Sequence, residues 1–228
     1  MKYSIRVNEV KNKDGNIRGF ATVVFGDSFK VTNIAILENS EKGQLFVSMP
    51  RYKSSERDEN GTVYKDICNP ITKEFRKELY DNILNAYDNL KKQDVDQDRS
   101  EQPFRDFPEF SVTVTPLERA DSNIKGLARI YFEDSFIVNN ISILQGKENL
   151  FVAMPSYKSK QTDEHGKPVY QEVCYPVTKE FREKLYKEIL STYDWEISQR
   201  NRRNNEESKK TRQDQGGDRS YDRGHPFR

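Results

Sequence analysis

The chain contains the same sequence twice, and a duplicated chain has to fold as two copies of one unit. Leu45-Phe46-Val47-Ser48-Met49-Pro50-Arg51-Tyr52-Lys53-Ser54 returns as Leu150-Phe151-Val152-Ala153-Met154-Pro155-Ser156-Tyr157-Lys158-Ser159, identical at eight of ten positions with an offset of 105. Upstream the offset is 107, carrying Gly19, Phe25, Asp27, Phe29, Val31 and Ile34 onto Gly126, Phe132, Asp134, Phe136, Val138 and Ile141. Downstream it is 106, carrying Tyr64, Cys68, Pro70, Phe75, Leu79 and Tyr87 onto Tyr170, Cys174, Pro176, Phe181, Leu185 and Tyr193. The offset changes near Asn39 to Gly43 and Gly61 to Val63, in turn-like stretches that tolerate insertion.

Residues 1–87 are therefore the first copy and 111–195 the second. Between them, 88–110 holds seven acids, four bases and only five apolar residues in 23 positions, the composition of a linker. After Trp195, residues 196–228 contain three apolar residues in 33, too few to offset the entropy of ordering them, and are expected to be a disordered polar tail. The bases minus acids are 14 − 12 in the first copy, 4 − 7 in the linker, 11 − 12 in the second copy and 9 − 6 in the tail. With a total of +1 there is no global basic footprint, so any nucleic-acid contact has to come from local patches. The tail holds the densest basic cluster, Arg200, Arg202, Arg203, Lys209, Lys210 and Arg212.

Within the first copy, short apolar or alternating runs predict strands near 3–7, 20–25, 29–37, 45–49 and 63–67. Asp14-Gly15, Gly26-Asp27 and Asn60-Gly61 supply the turn chemistry between them. Phe75, Leu79 and Ile83 at a spacing of four, with Tyr87, form a helical stripe over 72–87 introduced by Pro70 and Thr72. The second copy repeats it with Phe181, Leu185, Ile189 and Tyr193. The expected fold is α+β: two small domains, each an antiparallel β-meander of about five strands followed by one C-terminal helix. One sheet face and one helix in fewer than 90 residues leave surface that needs cover, and the sister copy is the obvious cover. The copies are expected to pair as an intramolecular pseudo-dimer.

Met-Pro after a short apolar strand, a basic hairpin, Tyr170 and a Pro-Val-Thr helix start, with the strand Phe29 to Ile34 upstream, resemble the SpoVG family of bacterial septation proteins. The resemblance extends over most of 2–87 and 111–193. It implies a small sheet-plus-helix fold that pairs with itself, binds DNA or RNA, and influences sporulation and septation. It also implies a contact surface after the Met-Pro motif and around the helix start. The matching residues are Arg51, Tyr52, Lys53, Lys65, Lys73, Arg76 and Lys77 in the first copy. In the second they are Tyr157, Lys158, Lys160, Lys179, Arg182 and Lys184. Where the family usually has Ala-His-Pro before the helix, this chain has Cys68-Asn69-Pro70 and Cys174-Tyr175-Pro176, and Ser156 replaces Arg51. The first copy is expected to make more of the contact.

Two cysteines and two histidines exclude a disulfide-rich scaffold and a histidine-rich metal cage. Cys68 and Cys174, each between an apolar residue and the residue before a proline, read as small buried hydrophobes, with a redox or ligand pair as the sharper alternative. His165 beside Gly166 reads as a turn residue. No nucleophile–base pair, phosphate cradle or paired-acid site is visible, so neither catalysis nor a cofactor is expected. The first residues lack a signal-like apolar core and no apolar run approaches a membrane span, which points to a cytoplasmic protein with no membrane partner. Further homodimerisation is left open. The competing reading is a protein-interaction module that works through an exposed strand edge or the aromatic residues Phe104, Phe107 and Phe110.

Overall fold

The computed structural model describes residues 1–11, 15–59, 61–92, 107–118 and 121–215. Asp14 and Asn60 of the expected turns, most of the expected linker with Phe104, and the last 13 residues of the tail lie outside them. The first copy runs β1 (Tyr3–Glu9), β2 (Ile17–Phe25), β3 (Phe29–Glu38), β4 (Leu45–Ser48), β5 (Arg51–Asp58), β6 (Gly61–Asp66), β7 (Cys68–Pro70) and α1 (Lys73–Lys92). The second runs β8 (Phe110–Pro116), β9 (Ile124–Phe132), β10 (Phe136–Gln145), β11 (Leu150–Ala153), β12 (Ser156–Thr162), β13 (Pro168–Glu172), β14 (Cys174–Pro176) and α2 (Lys179–Gln215).

In each copy the first three strands form an antiparallel meander, and the third then pairs with the fourth. The copies are α+β, as expected, and they are intertwined. β7 leaves its own copy and pairs with β10, Cys68 opposite Val138 and Pro70 opposite Phe136, while β14 pairs with β3, Cys174 opposite Val31 and Pro176 opposite Phe29. The exchange is extended at its ends by backbone bonds from Thr32 N to Val173 O at 2.8 Å and from Asn139 N to Ile67 O at 2.7 Å.

A bulge makes room for the exchanged strand. Buried residues in β3 fall at Phe29, Val31, Ile34 and Ile36, a spacing of two, three and two. One extra residue is therefore inserted between Val31 and Ile34, where the pairing with β2 shifts register. Asn33 takes up the turn at φ 59°, and Asn140 does the same in β10 at φ 60°. Asn tolerates this left-handed conformation better than other non-glycine residues. The bulge divides β3 into a first half that receives β14 and a second half that receives β4.

The inner faces of both sheets share one core. Phe25 meets Phe136, and Phe29 meets Phe132, each at 4.8 Å between ring centroids. These four rings have no exposed surface, and each such pair adds about 0.5–1.5 kcal/mol beyond simple burial. α1 packs on β1 and β4 and α2 on β8 and β11, each over its own sheet. The stripes Phe75, Leu79, Ile83, Tyr87 and Phe181, Leu185, Ile189 are buried as the periodicity predicts. Thr72 and Thr178 cap the two helices, each Oγ1 accepting from the backbone N–H three residues on at 3.3 Å.

Three expectations change. Each copy has seven strands instead of about five, because β5 carries Tyr52 as its one apolar residue and so no alternation, and β7 is only three residues long. The linker is shorter than 88–110, since α1 continues to Lys92 and β8 begins at Phe110. The tail is not disordered over 196–215, because α2 continues to Gln215. That stretch is rich in Glu, Gln, Arg and Lys, contains no Gly or Pro before Gly216, and grows from a packed helix, so it avoids the cost of nucleation. Arg200 ties it back to Glu118 at 3.3 Å. No helix among the described residues is long and apolar enough to cross a membrane.

Candidate nucleic-acid interface

The Met-Pro motif ends β4 or β11 and sends the chain into a separate two-stranded hairpin, β5–β6 or β12–β13, which pairs with neither large sheet. The hairpins are nearly symmetric in charge. Arg51 to Asp66 contains four bases and four acids, and Ser156 to Glu172 three of each. Bulk charge therefore gives them no attraction for phosphate, and specific side chains have to provide it.

Several expected contact residues are engaged within the hairpin. Arg51 lies opposite Asp66 and donates from Nε to its carboxylate at 2.9 Å. Lys65 donates to Glu56 at 2.5 Å, and that bond holds its ammonium above the usual lysine range. Tyr52 is half-buried against the core, and Tyr157 donates its hydroxyl proton to Gln171 at 2.5 Å. Lys160 lies in β12.

Lys53 and Lys158 are exposed, and the register gives each the same neighbour: Lys53 sits opposite Tyr64, and Lys158 opposite Tyr170. Those tyrosines are 60% and 63% exposed, more than Tyr157 at 40%. Each hairpin thus presents an ammonium beside an open aromatic face, the combination that neutralises a phosphate while a base stacks alongside. The sequence gives no signal for Tyr64 and Tyr170 as contact residues, because register shifts between Lys53 and Arg57 and between Lys158 and Thr162 break any count from the turns.

At the helix starts, Arg76 donates from Nη2 to the Pro70 carbonyl at 3.0 Å, and Arg182 repeats the bond to Pro176 at 3.1 Å. Each guanidinium is pinned to an exchanged strand with the rest of its fork exposed. Lys77 pairs with Asp81 at 2.7 Å, which holds its ammonium above the ordinary range, and Lys179 approaches Glu183 at 3.8 Å. Lys73 is exposed. These cations sit in the first turns of helices, where the macrodipole disfavours positive charge.

Tyr80 of α1 is half-buried in the first copy. Burial raises its phenol above the usual range, Arg76 and Arg51 oppose the rise, and Asp66 adds to it. In the second copy burial also raises Tyr186, with Glu172 adding and Arg182 opposing. Ser156 supplies no second cation there. Two arginines, Arg51 and Arg76, thus act on Tyr80, whereas Arg182 alone acts on Tyr186. Lys184 is elsewhere. Its ammonium lies 5.7 Å from the centre of the Phe107 ring and 5.6 Å from that of Phe110, about 200° around the helix from Arg182. Phe107 and Phe110 also pack on Phe181, at 5.3 and 5.5 Å, so neither is a loose linker residue.

The SpoVG family model matches this chain twice, over residues 1–89 and 108–195. Among curated relatives, a protein of Treponema denticola is 32% identical over 87 residues, 37% of this chain and 87% of that protein. One of Phytoplasma australiense is 36% identical over 73 residues, 32% of this chain and 70% of that protein. A Clostridium beijerinckii protein is 29% identical over 80 residues, 35% of this chain and 81% of its own length. All three carry the provisional name septation protein SpoVG, and each corresponds to one copy.

Proposed function

This chain belongs to the SpoVG family, and on that premise we propose that it is a non-enzymatic regulator that binds DNA or RNA through the cations of its hairpins and helix starts. Its relatives are named for septation, and the proposal gives this chain a part in the control of septation or sporulation in the cytoplasm. The observation that carries it is the Lys-Tyr pair repeated in both hairpins, Lys53 with Tyr64 and Lys158 with Tyr170. Stacking on an exposed ring contributes about 1–3 kcal/mol per base and works with any sequence. The pinned Arg76 and Arg182 add preorganised cations whose place at a helix start is unfavourable without an anion. The first copy supplies Arg51 where the second has Ser156, so it carries more of the contact.

Fluorescence anisotropy with labelled single-stranded and duplex oligonucleotides at two salt concentrations tests this reading. Binding that weakens steeply with salt is expected. Failure to bind at low salt would overturn it.

A second reading, a protein-interaction module, draws on the outward sheet faces. Ile17, Leu37 and Phe46 stand in one row across β2, β3 and β4, and Ile124, Leu144 and Phe151 in the equivalent row. Phe46 is 43% exposed and Phe151 48%. A partner bound there is expected to survive moderate salt.

A further inference from the structure

The first sheet, β1 to β4 completed by β14 of the other copy, buries Val7, Ala21, Val31 and Cys174 on its inward face. Strand alternation therefore turns their neighbours Arg6, Phe20, Lys30 and Tyr175 outward, with Phe46 beside the buried Val47. The register arranges them. Arg6 stands opposite Thr22 and diagonal to Phe20, and Lys30 lies between Val24 and Tyr175. Phe20 and Phe46 are 37% and 43% exposed. The Lys30 ammonium lies 5.8 Å from the centre of the Tyr175 ring, which the strand exchange delivers from the other copy.

The outward face carries no acid, in a chain that has 37 of them. The strands of this sheet hold only Glu9 and Glu38, which share their sides with the buried Val7 and Ile36, and Asp27 lies beyond them in the turn between β2 and β3. Neither Arg6 nor Lys30 is in an ion pair among the described residues. A protein partner with an apolar face would have to bury both cations unpaired, which costs more than the rings return. A second copy of the same face would set like charges against each other. A polyanion with flat apolar groups satisfies cations and rings together.

We propose that the outward face of the first sheet is a stacking platform for a single-stranded nucleic acid, with bases on Phe20 and Phe46 and phosphates at Arg6 and Lys30. The inference rests on the nucleic-acid reading above and adds to it a surface separate from the hairpins and helix starts. A duplex keeps the faces of its bases stacked inside, so the rings act on an unpaired strand only. The second sheet is the poorer platform: Thr113, Leu127, Ile137 and Asn69 stand where the first has Arg6, Phe20, Lys30 and Tyr175, and its one matching gain is Arg129 for Thr22.

The test measures the affinity of the full chain for labelled oligo-dT, oligo-U and a duplex, with urea midpoints to establish that each variant is folded. Phe20→Thr with Phe46→Thr, which keeps residues suited to strands, is expected to lose about tenfold or more on the single strands and to leave duplex affinity unchanged. Arg6→Gln with Lys30→Gln is expected to weaken single-strand binding and to reduce its salt slope by roughly 1.4. Photocrosslinks from a bromouracil-substituted strand are expected within 17–25 and 45–48. Unchanged affinity in both folded double variants, with binding lost in Lys53→Gln with Lys158→Gln and crosslinks confined to the hairpins, overturns the platform and leaves the hairpin reading standing. Loss in the sheet variants without loss in the hairpin variant upholds the platform and removes the hairpins. No binding of any oligonucleotide by the unaltered chain overturns both.

Discussion

Tyr3 donates its phenolic proton to Glu78 at 2.9 Å and accepts from Asn82 at 2.8 Å, binding the first strand to the helix of the first copy. The corresponding residues of the second copy are Phe110, Lys184 and Glu188. There the hydroxyl is gone, the carboxylate has become an ammonium, and the ammonium lies over the Phe110 ring. The same strand–helix contact is a hydrogen bond in one copy and a cation–π contact in the other.

The two versions should not be interchangeable. Tyr3→Phe removes the hydroxyl and is expected to cost about 0.5–1.5 kcal/mol. Lys184→Glu places a carboxylate against ring faces and should cost at least the roughly 0.5–1 kcal/mol of the lost cation–π contact. Combining Lys184→Glu with Phe110→Tyr rebuilds the first-copy pair and should recover most of that loss. Urea denaturation of these three variants and of Phe110→Tyr alone measures the coupling.

Alkaline pH tests the same contact. Burial, with the Glu78 carboxylate alongside, pushes the Tyr3 phenol up to about 12 against an ordinary 10. A group raised in the folded state stabilises while it is protonated in both states. Its contribution is therefore intact below pH 10 and lost as the pH climbs towards 12. The loss of stability across that window should be shallower in Tyr3→Phe than in the unaltered chain, as measured by urea midpoints at successive pH values.

Asn33 and Asn140 hold the bulges that admit the exchanged strands, at φ 59° and 60°. Asn33→Val forces a β-branched residue into the left-handed region and is expected to cost about 1–3 kcal/mol, whereas Asn33→Gly should be near neutral or better. If valine were harmless, the bulge would not govern the exchange.

Gly19 has no space for a side chain. A Cβ there would lie 2.9 Å from the Asn8 carbonyl oxygen and 3.1 Å from the Tyr87 ring. Gly19→Ala should cost about 1–3 kcal/mol by prising α1 from β2. At Gly126 the nearest atoms are those of the Tyr193 ring at 3.2 Å, and a side-chain ring gives way more easily than backbone. Gly126→Ala is expected to cost less. Thermal unfolding of the two variants compares them.

The duplication, the helical stripes and the meander strands were legible because apolar spacing and repeated motifs encode them directly. The bulge was legible too, had the spacing of Phe29, Val31, Ile34 and Ile36 been followed as two, three and two. The exchange of β7 and β14 was not, since three residues such as Cys68-Asn69-Pro70 carry no period and cannot say which copy they join. Of the expected contact residues, Lys53, Lys158, Arg76 and Arg182 are presented with exposed surface. The position of Lys184 over Phe107 and Phe110 was not legible, because those rings come from far away in sequence. The extended α2 was missed because composition measures burial, and a helix that continues from a packed one needs little.

The most direct measurement of the central claim is the affinity of a labelled single-stranded oligonucleotide at low salt for the unaltered chain, Tyr64→Ala with Tyr170→Ala, and Lys53→Gln with Lys158→Gln. The paired-hairpin account predicts binding by the unaltered chain. It predicts a loss of tenfold or more for the tyrosine pair, and for the lysine pair a weaker affinity with a shallower salt slope. Unchanged affinity in both folded double variants, or no binding by the unaltered chain, would contradict it.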